Sequence, residues 1–237
     1  MQQDFQDRVE EIEAYFAFIQ AVDKESISLI SKDAMTPAYS ASQREDLLRT
    51  FKASVFLMLY NLMEATVKNS VEAIFDELAK QDVSFDSCRS EVRRVVLGNL
   101  RHCHDEGHLR SRNVSDVLDL FKNLATDAVT KTFQRTEVVS GNVDAREIRE
   151  LAKQYGFMKP AADGNLLVTV KANRNDLAHG DKSFAEVGRD FDVPRLEEVK
   201  TKTIDYLSKL ISSVAHRSRD QLRQTIYHRE QDRFCSP

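Results

Sequence analysis

Glycine and proline are scarce, seven and four in 237 residues, which is roughly 5% of the chain where about 12% is usual. So little turn-forming material excludes the many tight corners of an all-β protein and points to helices. Long apolar runs are missing as well. The longest, Ala53 to Tyr60 broken only by Ser54, is far shorter than the about 18 residues that span a bilayer, so no membrane segment is expected. The chain begins Met1-Gln-Gln-Asp-Phe-Gln-Asp-Arg, without a basic start followed by an apolar stretch, so no signal peptide is expected and the cytoplasm is the expected location. Cys88, Cys103 and Cys235 are too few and too irregularly spaced for a disulfide framework or paired zinc knuckles, and are read as reduced thiols. Neither sign of charge dominates: 34 basic against 38 acidic residues leave −4. That balance excludes a uniformly basic nucleic-acid coat, so any anionic ligand must be met by local patches. What the chain does have is 41% hydrophobic and 30% charged residues, enough for a packed core and too apolar for a disordered chain.

The hydrophobic pattern is helical throughout. Phe5, Val9, Ile12, Phe16 and Ile19 recur at steps of three and four with acidic residues between them, which predicts an amphipathic first helix. A polar stretch from Ser31 to Ser42 containing Pro37 interrupts it. Leu47, Leu48, Phe51, Val55, Met58, Leu59, Leu62 and Met63 then begin a second helix running to about Lys80. Its middle is apolar nearly all round, which predicts a central helix packed on more than one side. Asn61 and Glu64 are its polar exceptions, and each must find a partner or line a cleft.

Residues 84–139 read as a helical insertion, with amphipathic segments Glu91–Cys103 and Ser115–Phe133 around a polar, histidine-bearing stretch. A short helix follows, opened by Asp144 with Glu147 three residues on and closed by Gly156. Pro160 and Gly164 mark a loop. Leu166 to Val170 is too short to separate a strand from a helix start, whereas Lys171 to His179, stopped by Gly180, reads as helix. The last long helix, from about Arg195, carries Leu196, Val199, Thr203, Leu207, Leu210 and Val214 on one stripe and continues as a polar tail over 216–237.

Chemistry concentrates in Arg174-Asn175-Asp176-Leu177-Ala178-His179-Gly180. An arginine and a histidine five positions apart end a helix, where the macrodipole favours a cation and the last turn leaves side chains free. That is a candidate phosphate site. Local residues alone favour the plainer reading, with Arg174 and Asp176 as surface charges and His179 a helix-ending histidine. Two other pairs, Arg101 with His108 and Arg223 with His228, have comparable spacing but lack the Arg-Asn pair and the Leu-Ala-His-Gly ending.

With its Arg-Asn pair, the Leu-Ala-His-Gly ending and the following Ser183-Phe184-Ala185-Glu186-Val187-Gly188-Arg189, this segment resembles the HEPN superfamily. That superfamily's signature is an arginine and a histidine separated by four to six residues in an α-helical bundle. Leu59-Tyr60-Asn61-Leu62-Met63-Glu64-Ala65 and Gly141-Asn142-Val143-Asp144-Ala145-Arg146-Glu147-Ile148-Arg149 with Tyr155-Gly156-Phe157 resemble it too. The resemblance implies an all-α bundle of two helical hairpins forming one domain, its core about 1–82 and 140–215.

Many HEPN proteins are metal-independent endoribonucleases of phage defence or toxin–antitoxin systems, and the resemblance implies that activity here, with RNA as partner and no cofactor. Cleavage through the RNA 2′-hydroxyl needs a proton acceptor and donor near neutral pH and a cation beside the phosphorane. His179 and Arg174 suit those roles. The family pattern would have Asn175 orient the pair and Glu64, with Asn61, hold or polarise it. Related nucleases join two such pairs across a two-fold interface, so a homodimer with a composite site is expected. HEPN toxins silenced by adenylylation carry a tyrosine two residues after the histidine, where this chain has Asp181, so that control is not expected.

Arg89, Arg93, Arg94, Arg101, Arg110 and Arg112 outweigh the acids around them and could hold an RNA backbone, or form an ordinary solvated face. His102, Cys103, His104 and His108 lack a matching second ligand pair, so no metal site is expected. Two rival functions stay open: a HEPN scaffold that binds nucleotide or RNA without cutting, and an antitoxin or restriction-linked partner in a defence operon.

Overall fold

A computed structural model describes residues 1–26, 39–80, 93–94, 143–160 and 163–234, with side chains to residue 216 apart from those of residues 78 and 79. Its helices are α1 (Gln2–Asp23), α2 (Ala41–Lys80), α3 (Ala145–Tyr155), α4 (Asn165–His179), α5 (Phe184–Arg189) and α6 (Val193–Phe234). No strand occurs among the described residues, and the protein is all-α. The expected insertion helices lie outside the described residues except Arg93 and Arg94, which are helical. No described helix is long and apolar enough to cross a membrane.

The chain divides into two compact units, one of Met1–Thr66, Gly141–Ala145 and Ala161–Lys209, the other of Val67–Ser140, Arg146–Pro160 and Leu210–Pro237. In the first, α1 turns Phe5, Ile12, Phe16 and Ile19 inward, four of the five apolar positions its period picks out. Burying a side chain such as Phe16 contributes about 1.5–3 kcal/mol. Tyr15 and Phe18 meet the Phe51 ring of α2 edge-on at 6.3 and 5.3 Å. The apolar middle of α2 buries Ala53, Val55, Phe56, Leu59, Tyr60, Leu62 and Met63, and it is packed on several sides as its sequence requires. Phe56 meets Phe191 beyond α5 at 4.8 Å, and Lys52 Nζ donates to the Phe191 carbonyl at 2.7 Å.

Small-residue demands appear where backbones converge. Gly188 of α5 lies against α2 so closely that a Cβ there would stand 1.9 Å from the Arg49 carbonyl oxygen. α5 itself is fixed by a capping box: Ser183 Oγ accepts from the Glu186 N–H, and the Glu186 carboxylate accepts from the Ser183 N–H. On α6, the nearly buried Lys200 (4% exposed) pairs with Glu13 of α1 and Glu197, its ammonium 4.5 Å from the centre of the Phe16 ring. A lysine can occupy that depth because two carboxylates and a ring face replace its water.

In the second unit, α3 runs from just after Asp144 to Tyr155, the bounds its sequence predicts. The Gly156 N–H closes it on the Ala152 carbonyl. Tyr155 meets Phe75 edge-on at 5.9 Å, and burial pushes its phenol up to about 12.

Candidate active site

The candidate residues lie in the first unit, mostly on α4. Leu167, Val170, Asn173 and Leu177 are its buried residues, at steps of three, three and four. Residues 166–170 are therefore the first turns of a helix and not a strand. Gly180 ends α4 with φ 76°, a left-handed conformation that a side chain would strain. Behind it the chain is tied back, the Lys182 N–H donating to the Asp176 carbonyl at 3.2 Å and Lys182 Nζ pairing with the Asp176 carboxylate at 2.9 Å.

Arg174 leaves α4 toward α2. Its guanidinium carbon lies 4.2 Å from the centroid of the Tyr60 ring, in cation–π contact. One terminal nitrogen donates to Asn175 Oδ1 at 3.0 Å, and the other lies 3.9 Å from a Glu64 carboxylate oxygen, an ion pair without hydrogen-bond contact. The side chains of Arg174 and Glu64 are both partly exposed. Most of the five guanidinium donors thus remain free for an incoming anion.

Tyr60 is the residue that sequence reasoning missed in this role. Its side chain is buried, at 1% exposure, and its hydroxyl accepts from the Val143 N–H at 3.0 Å. Burial is the main cause that raises its phenol above the usual tyrosine value; the Val143 hydrogen bond opposes this, the charge of the Glu64 carboxylate adds to the rise and the Arg174 cation opposes it. The phenol therefore stays neutral at moderate pH. Tyr60 and Glu64 stand four apart on one face of α2, which is the signal that could have linked them. Nearby, Lys171 of α4 pairs with Asp144 at 2.8 Å, joining the segment ahead of α3 to α4.

Arg174, Asn175 and Glu64 are thus brought together. Asn61 is not part of that cluster: its amide oxygen accepts from Arg8 of α1 at 2.7 Å. The two residues line a cavity of about 320 Å³ with Glu11, Ile12, Leu57, Met58 and Leu62. His179 is exposed in the last turn of α4, basic where the helix dipole is negative, and makes no hydrogen bond to Arg174, Asn175 or Glu64. Arg93 is half-buried and Arg94 exposed; Arg101, and the His102, Cys103, His104 and His108 group, lie outside the described residues.

Arg174, Asn175 and His179 thus lie on one short helix, with the Glu64 carboxylate of α2 beside Arg174. A family model described as HEPN_MAE_28990-like HEPN matches residues 1–221. The chain belongs to the HEPN superfamily, whose domains are generally ribonuclease-like. No curated protein and no solved structure gives a significant match.

Proposed function

We propose that this HEPN protein is a metal-independent endoribonuclease. The observation that carries the reading is the arrangement on the second half of α4: Arg174 is held by Tyr60, Asn175 and Glu64 with donors to spare, and His179 stands exposed one and a half turns further on. A base takes the proton of the RNA 2′-hydroxyl, whose oxygen attacks the adjacent phosphorus. The bond from phosphorus to the 5′-oxygen breaks, and that oxygen receives a proton from an acid. The products are a 2′,3′-cyclic phosphate and a 5′-hydroxyl. Arg174 balances the charge that builds on the phosphorane oxygens. His179 moves the protons.

One histidine cannot be base and acid in the same instant, so the reading includes a homodimer in which two α4 helix ends serve one phosphate. Residues 1–82 and 140–215 form the core of a single HEPN domain in this reading. The 84–139 insertion, with Arg93, Arg94 and Arg101, meets the RNA backbone. The biological setting proposed is phage defence or a toxin–antitoxin-like system, with an antitoxin or restriction-linked protein as regulator.

The test uses a defined RNA, the same RNA with 2′-deoxy substitution at the cleaved position, and excess chelator. Cleavage of the first and not of the second supports the mechanism; equal cleavage of both contradicts it. A second reading has one observation in its favour. Arg174 already has a ring, an amide and a carboxylate around it, an arrangement that also suits a scaffold binding nucleotide phosphate without cutting. Tight binding of both RNAs with neither cut would select it.

A further inference from the structure

The guanidinium of Arg174 is confined from three directions, and the Tyr60 ring is the first of them. The ring lies under the guanidinium carbon at 4.2 Å, which sets the distance of the cationic plane from α2. The Glu64 carboxylate, one turn along α2 from Tyr60, is the second, 3.9 Å from the outer nitrogen. The Tyr60 hydroxyl accepts from the Val143 N–H at 3.0 Å. Tyr60 therefore cannot swing without orphaning a buried backbone donor. Asn175, the third direction, lies next to Arg174 on α4 and only anchors its near edge.

We infer that Tyr60 is a positioning residue: its ring is the platform that fixes the plane of the Arg174 guanidinium for phosphate, and the Val143 N–H locks that platform to the segment ahead of α3. Tyr60 touches neither substrate nor reacting atoms; it acts through Arg174. An arginine side chain has several rotatable bonds, and its fork is useful only in one orientation. The ring supplies that orientation before RNA arrives; the hydroxyl steadies the ring through Val143 and does not react.

The kinetic part of this inference rests on the nuclease reading, and the structural part does not. Tyr60→Phe keeps the ring; Tyr60→Leu removes the aromatic face and keeps apolar bulk. Side-chain ¹⁵N spectra of Arg174, assigned through Arg174→Lys, report the guanidinium directly. The expected result is a ring-shifted Nε–H signal in wild type and Tyr60→Phe that collapses to the free-arginine position in Tyr60→Leu. Turnover on the defined RNA should fall about tenfold or more in Tyr60→Leu, in kcat more than in KM, stay within about threefold in Tyr60→Phe, and fall no further when Tyr60→Leu is added to Arg174→Lys. Should Tyr60→Leu fail to fold, pentafluorophenylalanine at position 60 keeps the ring's shape while removing its negative face, and the same loss of signal is expected. An unchanged Arg174 signal in the folded variant without an aromatic face overturns the inference, as does additive loss in the double variant. If wild type cuts no RNA, the nuclease reading fails, and the Arg174 signal still decides whether Tyr60 fixes the guanidinium.

Discussion

Replacing Tyr60 by phenylalanine removes a single oxygen, and the structure says what that oxygen does. It accepts from the Val143 N–H at 3.0 Å, where Val143 is 0% exposed, so no water can take its place. An orphaned buried donor costs about 1–3 kcal/mol. The phenylalanine ring fills the same space, so the apolar burial of α2 is unchanged. The expected net loss is about 2 kcal/mol, read as a fall in urea midpoint at constant slope. The Val143 amide should exchange with solvent faster than in wild type, since its protection has lost an acceptor. A stability within about 0.5 kcal/mol of wild type, with Val143 exchange unchanged, would refute the reasoning.

Other consequences follow from single contacts. Gly188→Ala places a Cβ 1.9 Å from the Arg49 carbonyl oxygen, backbone that cannot yield as a side-chain tip can. The loss should reach or exceed about 3 kcal/mol by denaturation, and a neutral result would mean α5 is not seated there. Thr203 is fully buried and its hydroxyl makes no hydrogen bond. Thr203→Val should therefore raise stability by about 1 kcal/mol in the same assay, while destabilisation would reveal a missed partner. Tyr155, with its phenol at about 12, holds its proton where an unfolded chain, near 10, releases it. Its contribution to stability is complete below pH 10 and is lost between about pH 10 and 12, so stability should fall with rising pH there, and less steeply in Tyr155→Phe. If Arg93, Arg94 and Arg101 meet RNA, affinity should drop steeply with salt, and replacing all three by glutamine should flatten that slope; identical slopes would remove the insertion from the interface.

Most of the architecture could be read from the chain because its core positions repeat with helical period. Phe5, Ile12, Phe16 and Ile19 on α1, and Leu196, Val199, Thr203 and Leu207 on α6, are buried as that period requires. The turn at Gly180 was equally legible, since a glycine after a periodic run supplies the left-handed residue that closes it. Residues 166–170 stayed ambiguous because five residues cover less than two helical turns; Asn173 and Leu177, further along the same face, resolve them.

The candidate site was only half legible. Arg174, Asn175 and His179 share one segment, and their spacing displays them. The ring under Arg174 comes from a helix more than a hundred residues away, and a buried tyrosine in an apolar run looks like ordinary core. The family pattern gave Asn61 and Glu64 one supporting role. In the structure Asn61 turns to Arg8 and Glu64 to Arg174, because neighbours on a helix can diverge toward different partners. Gly188 and Lys200 were silent for the same reason: their meaning lies in Arg49, Glu13 and Phe16, which no local pattern connects to them.

The most direct test of the central claim is to incubate purified wild-type and His179→Ala protein with total cellular RNA in excess chelator and to determine the end groups of any fragments. The account predicts fragments from wild type alone, ending in 2′,3′-cyclic phosphate or 3′-phosphate with 5′-hydroxyl partners. Intact RNA with wild type, or the same fragments from a folded His179→Ala protein, would contradict it.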